Sequence, residues 1–258
     1  MILDDIAAYT KERIQKLKDK KSLYAVRDEA ENRPAGKDFK AALAADGLGV
    51  IAELKKASPS KGLIAPDFEE RYLKQAAAYE QGGASAISCL TEPQFFLGSD
   101  EYLKNVRKAL ELPILRKDFT VDEYQIYEAK TIGADAVLLI CSLLSKAQLG
   151  EYLAQARELG LSALVEAHDL DEVQSALAVG ADIIGVNNRN LKDFSVNPLN
   201  SLRLREAIPK EKIFVAESGI AKASDADGLK AAGVQAVLVG EALMRSADPA
   251  AFLKELRA

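Results

Sequence analysis

Polar and charged residues follow short apolar runs at six places: Glu53-Leu54-Lys55, Arg116-Lys117-Asp118-Phe119, Glu166-Ala167-His168-Asp169, Asn187-Asn188-Arg189-Asn190, Glu217-Ser218-Gly219 and Gly240-Glu241. If the runs are strands, alternate residues share a face. Glu53 then lies on the face of Ile51, and Lys117 on that of Leu115. A single Lys or Glu after a strand is ordinarily a solvated loop residue. Glu53, Lys117 and Glu166 pointing together into an apolar interior are different, because an unpaired buried charge costs several kcal/mol. A fold does not retain that for stability, so the group reads as functional, suited to moving protons and stabilising charge. His168 shares a face with Glu166 if its strand persists through Ala167, and falls in the loop if the strand stops at Glu166. A surface or capping role is expected for it.

Ser218-Gly219 and Gly240-Glu241 suggest a second kind of chemistry. Glycine lets backbone approach a ligand, and N–H groups supply donors without bulk. The segment after Gly240 is predicted to begin a short helix, whose N-terminus favours an anion. These are the loops in which parallel barrels hold phosphate.

The elements that must position these residues are visible as an internal repeat. Gly83-Ala84-Ser85-Ala86-Ile87, Gly133-Ala134-Asp135-Ala136-Val137, Gly180-Ala181-Asp182-Ile183-Ile184 and Gly233-Val234-Gln235-Ala236-Val237 are variants of one pattern. Each glycine follows a helical pattern and precedes a β-branched run, as a helix C-cap leading into a buried strand does. Between them lie further strand candidates ending at Lys117, Glu166 and Glu217, and Val50-Ile51-Ala52-Glu53 precedes the first. Eight strands alternating with helices predict an α/β fold, a closed (β/α)8 TIM barrel, with an open doubly wound sheet as competitor. Leu149, Tyr152, Leu153, Ala156 and Leu159 share one helical face, as do Phe252, Leu253 and Leu256 after Pro249. Residues 1–48 lie outside the repeat. Leu3, Ile6, Thr10, Ile14 and Leu17 mark them as an N-terminal helical extension packing on a barrel of residues 49–258.

Composition narrows the function. The chain has 258 residues, 48% apolar and 28% charged, with a formal net charge of −5. That size suits one barrel domain. The acidic balance argues against nucleic acid or an anionic membrane surface as partner. Cys89 and Cys141 lie in apolar runs and read as small buried hydrophobes, without a disulfide framework or a metal cluster. The start Met1-Ile2-Leu3-Asp4-Asp5 has no signal-peptide pattern, and the longest apolar stretch, around Ala136 to Leu144, is short of a bilayer span. A cytoplasmic location is expected.

Ile51-Ala52-Glu53-Leu54-Lys55-Lys56-Ala57-Ser58-Pro59-Ser60-Lys61-Gly62 resembles the first-strand signature of the indole-3-glycerol phosphate synthase family. Leu90-Thr91-Glu92 with Phe95-Phe96-Leu97-Gly98-Ser99, Leu115-Arg116-Lys117-Asp118-Phe119, Leu164-Val165-Glu166, Asn187-Asn188-Arg189-Asn190-Leu191, Ala216-Glu217-Ser218-Gly219-Ile220 and Val239-Gly240-Glu241-Ala242-Leu243-Met244-Arg245 agree in order and spacing. The resemblance covers essentially the whole chain. It implies ring closure of 1-(2-carboxyphenylamino)-1-deoxy-D-ribulose 5-phosphate with loss of CO2 and water, giving indole-3-glycerol phosphate in tryptophan biosynthesis. It implies no cofactor and no metal. By match to the family, Lys117 is the general acid, and Lys55 orients the substrate carboxylate and protonates the leaving hydroxyl. Glu166 is the general base for the later proton removal, and Glu53 holds and tunes the lysines. Asn187 and Arg189 bind substrate, and Phe96 and Phe119 pack on the anthranilate ring. Ser58, Ser218, Gly219, Gly240 and Glu241 hold the phosphate. The expected partner is a phosphorylated small molecule, with the chain a monomer or weak homo-oligomer. The alternatives are another phosphate-binding barrel, such as a sugar-phosphate isomerase or a Schiff-base aldolase using Lys117, and an inactive barrel used for binding.

Overall fold

The computed structural model describes residues 2–190 and 193–258; Met1, and Leu191 of the family motif quoted above, lie outside them. Among the described residues, eight parallel strands close a barrel: β1 (Gly49–Leu54), β2 (Ala86–Leu90), β3 (Ile114–Lys117), β4 (Ala136–Ile140), β5 (Ser162–Ala167), β6 (Ile183–Asn187), β7 (Ile213–Glu217) and β8 (Ala236–Val239). Each pairs with its sequence neighbours, and β1 with β8 completes the ring through Gly49↔Ala236 to Ala52↔Val239. Helices α1 (Ile2–Lys20), α2 (Leu23–Glu31) and α3 (Phe39–Leu43) precede β1. Helices α4 (Phe68–Gln81), α5 (Asp100–Ala109), α6 (Tyr124–Thr131), α7 (Lys146–Glu158), α8 (Leu170–Ala178), α9 (Leu199–Leu204) and α10 (Asp227–Ala231) connect successive strands, and α11 (Glu241–Arg245) and α12 (Pro249–Arg257) follow β8. The four repeat glycines, at φ of 83°, 93°, 79° and 73°, end α4, α6, α8 and α10 in left-handed turns that feed the next strand.

Strand alternation divides the apolar residues into two cores. Outward residues such as Val50, Ile87, Val165, Phe214 and Val237 pack against the helices. Cys89 belongs to this outer core, whereas Cys141 is only partly buried, in the turn after β4. Inward residues form the second core, in which Ile51, Leu115, Leu164 and Val215 come from β1, β3, β5 and β7. Alternate strands contribute successive layers of a barrel interior. One step further along the same four strands stand Glu53, Lys117, Glu166 and Glu217. The charged quartet is therefore the next layer up, built by the same register as the apolar one.

The N-terminal helices reach both ends of the barrel. Phe39 and Leu43 of α3 join the inner core beside Ala86, Ile183 and Ala236, the first residues of their strands or next to them, and plug the end away from the charges. At the other end Ile2, Leu3 and Ile6 of α1 line the mouth. Arg13 fastens α1 there through Asp118 Oδ2 at 2.7 Å, and Lys18 through Asp122 at 2.7 Å. In the loop after β1, Ala57–Ser58 pairs antiparallel with Gly62–Leu63, a small hairpin beside the cavity.

Candidate active site

A cavity of about 500 Å3 opens at the C-terminal ends of the strands. Glu53, Lys55, Ser58, Phe96, Lys117, Phe119, Glu166, Asn187, Arg189, Ser218, Gly219, Gly240 and Glu241 all line it. The sequence expectation placed these residues in one site, and the structure brings them to one wall-to-wall space.

Lys117 Nζ is at the centre of the floor, 3.1 Å from Glu166 Oε2 and 3.6 Å from Glu217 Oε2. Burial opposes its charge, but Glu166, Glu217 and Glu53 together raise its proton affinity above that of an ordinary lysine. Glu166 Oε1 accepts from Asn187 Nδ2 at 3.1 Å. Burial would raise the Glu166 pKa, but Lys117, His168 and Asn187 outweigh it and hold the group ionised. Glu217 goes the other way. Burial first, and then repulsion from Glu166 and Glu53, push its carboxyl above the usual range despite Lys117. One of its oxygens, Oε1, is buried without a hydrogen-bond partner. On the opposite wall Lys55 Nζ donates to Glu53 Oε1 at 2.7 Å, and Ser88 Oγ of β2 donates to Glu53 Oε2 at 3.1 Å.

Buried supports aim this layer. Arg116, beside Lys117 and facing outward, donates to Thr91 Oγ1 at 3.1 Å, the Gln125 carbonyl at 3.1 Å, Asp100 at 2.9 Å and Glu128 at 2.7 Å. Asp118 accepts from Arg13, from Thr91 Oγ1 at 3.0 Å and from the Phe119 N–H at 2.8 Å. The end of β3 is thus pinned on both sides of Lys117. Glu92, fully buried, accepts the backbone N–H groups of Gln94, Phe95 and Phe96 at 2.9, 2.7 and 2.9 Å. That cradle fixes the loop presenting Phe96, whose ring lies 5.8 Å from that of Phe119.

The rim is more polar. Ser218, at φ 67°, donates from Oγ to Asn187 Oδ1 at 3.0 Å, and Arg189 Nη1 donates to the Phe194 carbonyl at 3.1 Å. Glu241 turns its carboxylate to Arg245 at 3.1 Å and lies 3.9 Å from Lys61. A Cβ on Gly240 would come within 2.6 Å of Glu53 Oε1 and 2.9 Å of Lys55 Nζ, so this glycine makes room for that ion pair.

Sequence reasoning left Glu217 without a role, although it follows Val215 by the same alternation that singled out Lys117. It also passed over Gly185. A Cβ there would overlap the Glu217 carboxylate, and a glycine inside an apolar strand is the available signal of such a close approach. Ser88 and Arg13 carried no local signal, because their partners Glu53 and Asp118 are distant in sequence. Glu92 stands out only within the family motif, although the N–H groups it accepts lie two to four residues on. For His168 the strand does persist through Ala167, and the ring is not at the surface: it lies beside Glu166.

Fold and site together define an enzyme of the (β/α)8 class, with paired lysines and carboxylates on the cavity floor and glycine-bearing loops on its rim. Among solved structures, a 3-hexulose-6-phosphate synthase is similar in fold, with a TM-score of 0.65 at 19% identity, over 81% of this chain and 98% of that one. The family model for indole-3-glycerol phosphate synthase matches residues 3–256. The indole-3-glycerol phosphate synthase of Ruminiclostridium cellulolyticum is 55% identical, covering 100% of this chain and 99% of that protein. That of Endomicrobium trichonymphae is 52% identical, covering 100% of both. The chain belongs to the indole-3-glycerol phosphate synthase family, and it is a lyase of tryptophan biosynthesis.

Proposed function

We propose that the floor residues divide between them the steps by which 1-(2-carboxyphenylamino)-1-deoxy-D-ribulose 5-phosphate becomes indole-3-glycerol phosphate. One observation carries the reading: the ammonium of Lys117 is held by Glu166 and Glu217 at 3.1 and 3.6 Å on the floor of the cavity. As the aromatic carbon attacks the sugar ketone, negative charge develops on its oxygen. Lys117 donates a proton there. Carbon dioxide then leaves and the ring regains its aromaticity. In the final dehydration Lys55 protonates the departing hydroxyl, and Glu166 removes the proton from the adjacent carbon.

The proton transfers are coupled. An ammonium at 3.1 Å makes Glu166 a weak base in the free enzyme. Once Lys117 has given up its proton, Glu166 faces a neutral amine and gains proton affinity. The acid step thus prepares the base step. A Schiff-base role for Lys117 fits less well, since an amine nucleophile needs a lowered pKa and this one is raised.

Phe96, Phe119 and the α1 residues Ile2, Leu3 and Ile6 supply the apolar wall for the anthranilate ring. Asn187 and Arg189 take the polar groups of the substrate. Ser58, Ser218, Gly219 and Gly240 take the phosphate, with Glu241 contributing its N–H while Arg245 and Lys61 balance its carboxylate. One barrel supplies every group named, so the proposed steps need no second copy of the chain; a cytoplasmic location and a monomer or weak homo-oligomer are proposed with them.

The test is Lys117→Ala, followed by indole fluorescence. Turnover should fall by about 10³-fold or more, while substrate still binds. A variant with rates near wild type would overturn the assignment.

A further inference from the structure

His168 is the one histidine of the chain, and the steps above leave it unused. Its position is nonetheless built. Glu172 of α8 accepts the backbone N–H of His168 at 2.7 Å and, through the same Oε2, lies 3.1 Å from ring Nδ1. Asn200 of α9 donates to the His168 carbonyl at 3.0 Å. Two helices therefore hold the residue. Its Nε2 is directed at Glu166 Oε1, 3.6 Å away, and is buried with no hydrogen-bond partner.

Proton placement follows from these neighbours. An Nδ1 facing a carboxylate carries hydrogen. A bare Nε2 would then set its lone pair against those of Glu166 across a buried gap. A second proton turns that repulsion into an ion pair. The groups around the ring favour this charge: Glu166 on β5, the strand that ends just before it, Glu172 in the first turn of α8, and Glu217 on β7, while the neighbouring Asp169 caps α8 through the Glu172 N–H. The Cys141 thiol, in the turn after β4, is occupied with the Glu172 carbonyl at 3.6 Å, and Lys117 meets Glu166 through the other oxygen. Burial disfavours a charged ring, but Glu172, Glu166 and Glu217 outweigh it and raise its proton affinity.

We propose that His168 is a positioning residue for Glu166: clamped by Glu172, it keeps a proton on Nε2 against Oε1 and fixes the carboxylate between imidazolium and Lys117. The proposal rests on the reading of Glu166 as the base. It adds a second cation that keeps this base ionised after Lys117 has spent its proton.

A lone histidine can be observed without assignment ambiguity. In 1H–15N ring spectra of the whole protein, both nitrogens should be protonated at pH 7. The titration midpoint should lie above that of an ordinary histidine, and fall in Glu166→Gln and in Glu172→Gln. A bare Nε2 at pH 7, or a midpoint indifferent to both substitutions, overturns the pairing whatever the turnover. In kinetics, loss of the Nε2 proton should give kcat an alkaline inflection; His168→Ala should lower kcat about tenfold with little change in KM, and remove that inflection. His168→Gln, whose amide N–H can face Oε1, should recover most of kcat but not the inflection. A wild-type pH profile in His168→Ala overturns the proposal, whereas near-wild-type activity in Glu166→Gln overturns the base assignment instead.

Discussion

Gly185 and Glu217 share a few ångströms of barrel interior, and the absence of one methyl group decides where a carboxylate can lie. Gly185→Ala should displace the Glu217 side chain and loosen its hold on Lys117. Misplacing a reacting group by an ångström is worth about 10²-fold in rate, so kcat should fall by that order while the circular dichroism spectrum stays the same. An unchanged kcat would show that Glu217 has another place to go. At the rim, Ser218 holds a left-handed backbone at φ 67°, a conformation that Asp tolerates better than most residues. Ser218→Asp therefore changes charge more than backbone. Repulsion of a bound phosphate should raise KM tenfold for each ~1.4 kcal/mol, and an unchanged KM would move the phosphate elsewhere.

At the scale of elements, the loop between β2 and α5 depends on one buried acid. Glu92→Ala leaves the N–H groups of Gln94, Phe95 and Phe96 without an acceptor, at about 1–3 kcal/mol for each that stays dry. KM should rise several-fold as Phe96 loses its fixed place, with a lowered Tm. Normal KM in this variant would separate the loop from ring binding. How far such elements could be read in advance depended on the range of the signal. Glycine C-caps and β-branched runs act over a few residues, so the strands ending at Lys117 and Glu217 were placed to the residue. Period-two alternation was enough to direct Glu53, Lys117 and Glu166 inward. The Arg116 cluster and the plug formed by Phe39 and Leu43 leave no such mark, because each joins groups brought together by the packing of separate elements. The Glu92 cradle is local, but an acid two to four residues before the N–H groups it accepts has no period to show, and the antiparallel hairpin after β1 is too short for periodicity.

For the molecule as a whole, the charged layer makes stability depend on pH in opposing ways. Glu166, with its proton affinity lowered by folding, contributes stability that is present above the ordinary carboxyl range and lost as pH falls through its folded value. Glu217, with its affinity raised, contributes stability below the ordinary range that is lost as pH rises through its folded value. Glu217→Gln should thus change Tm little under acid conditions and raise it increasingly toward pH 9, by ~2–4 °C for each kcal/mol regained, although turnover is lost. A Tm difference that shrinks as pH rises would refute this accounting. The quartet is also divided evenly around the barrel, Glu53 and Lys117 coming from β1 and β3, Glu166 and Glu217 from β5 and β7. A polypeptide severed between β4 and β5 would give one piece with Glu53 and the Lys117 ammonium and another with the two acids that hold that ammonium. Each would be mute alone, and the appearance of product would announce that the two had found each other.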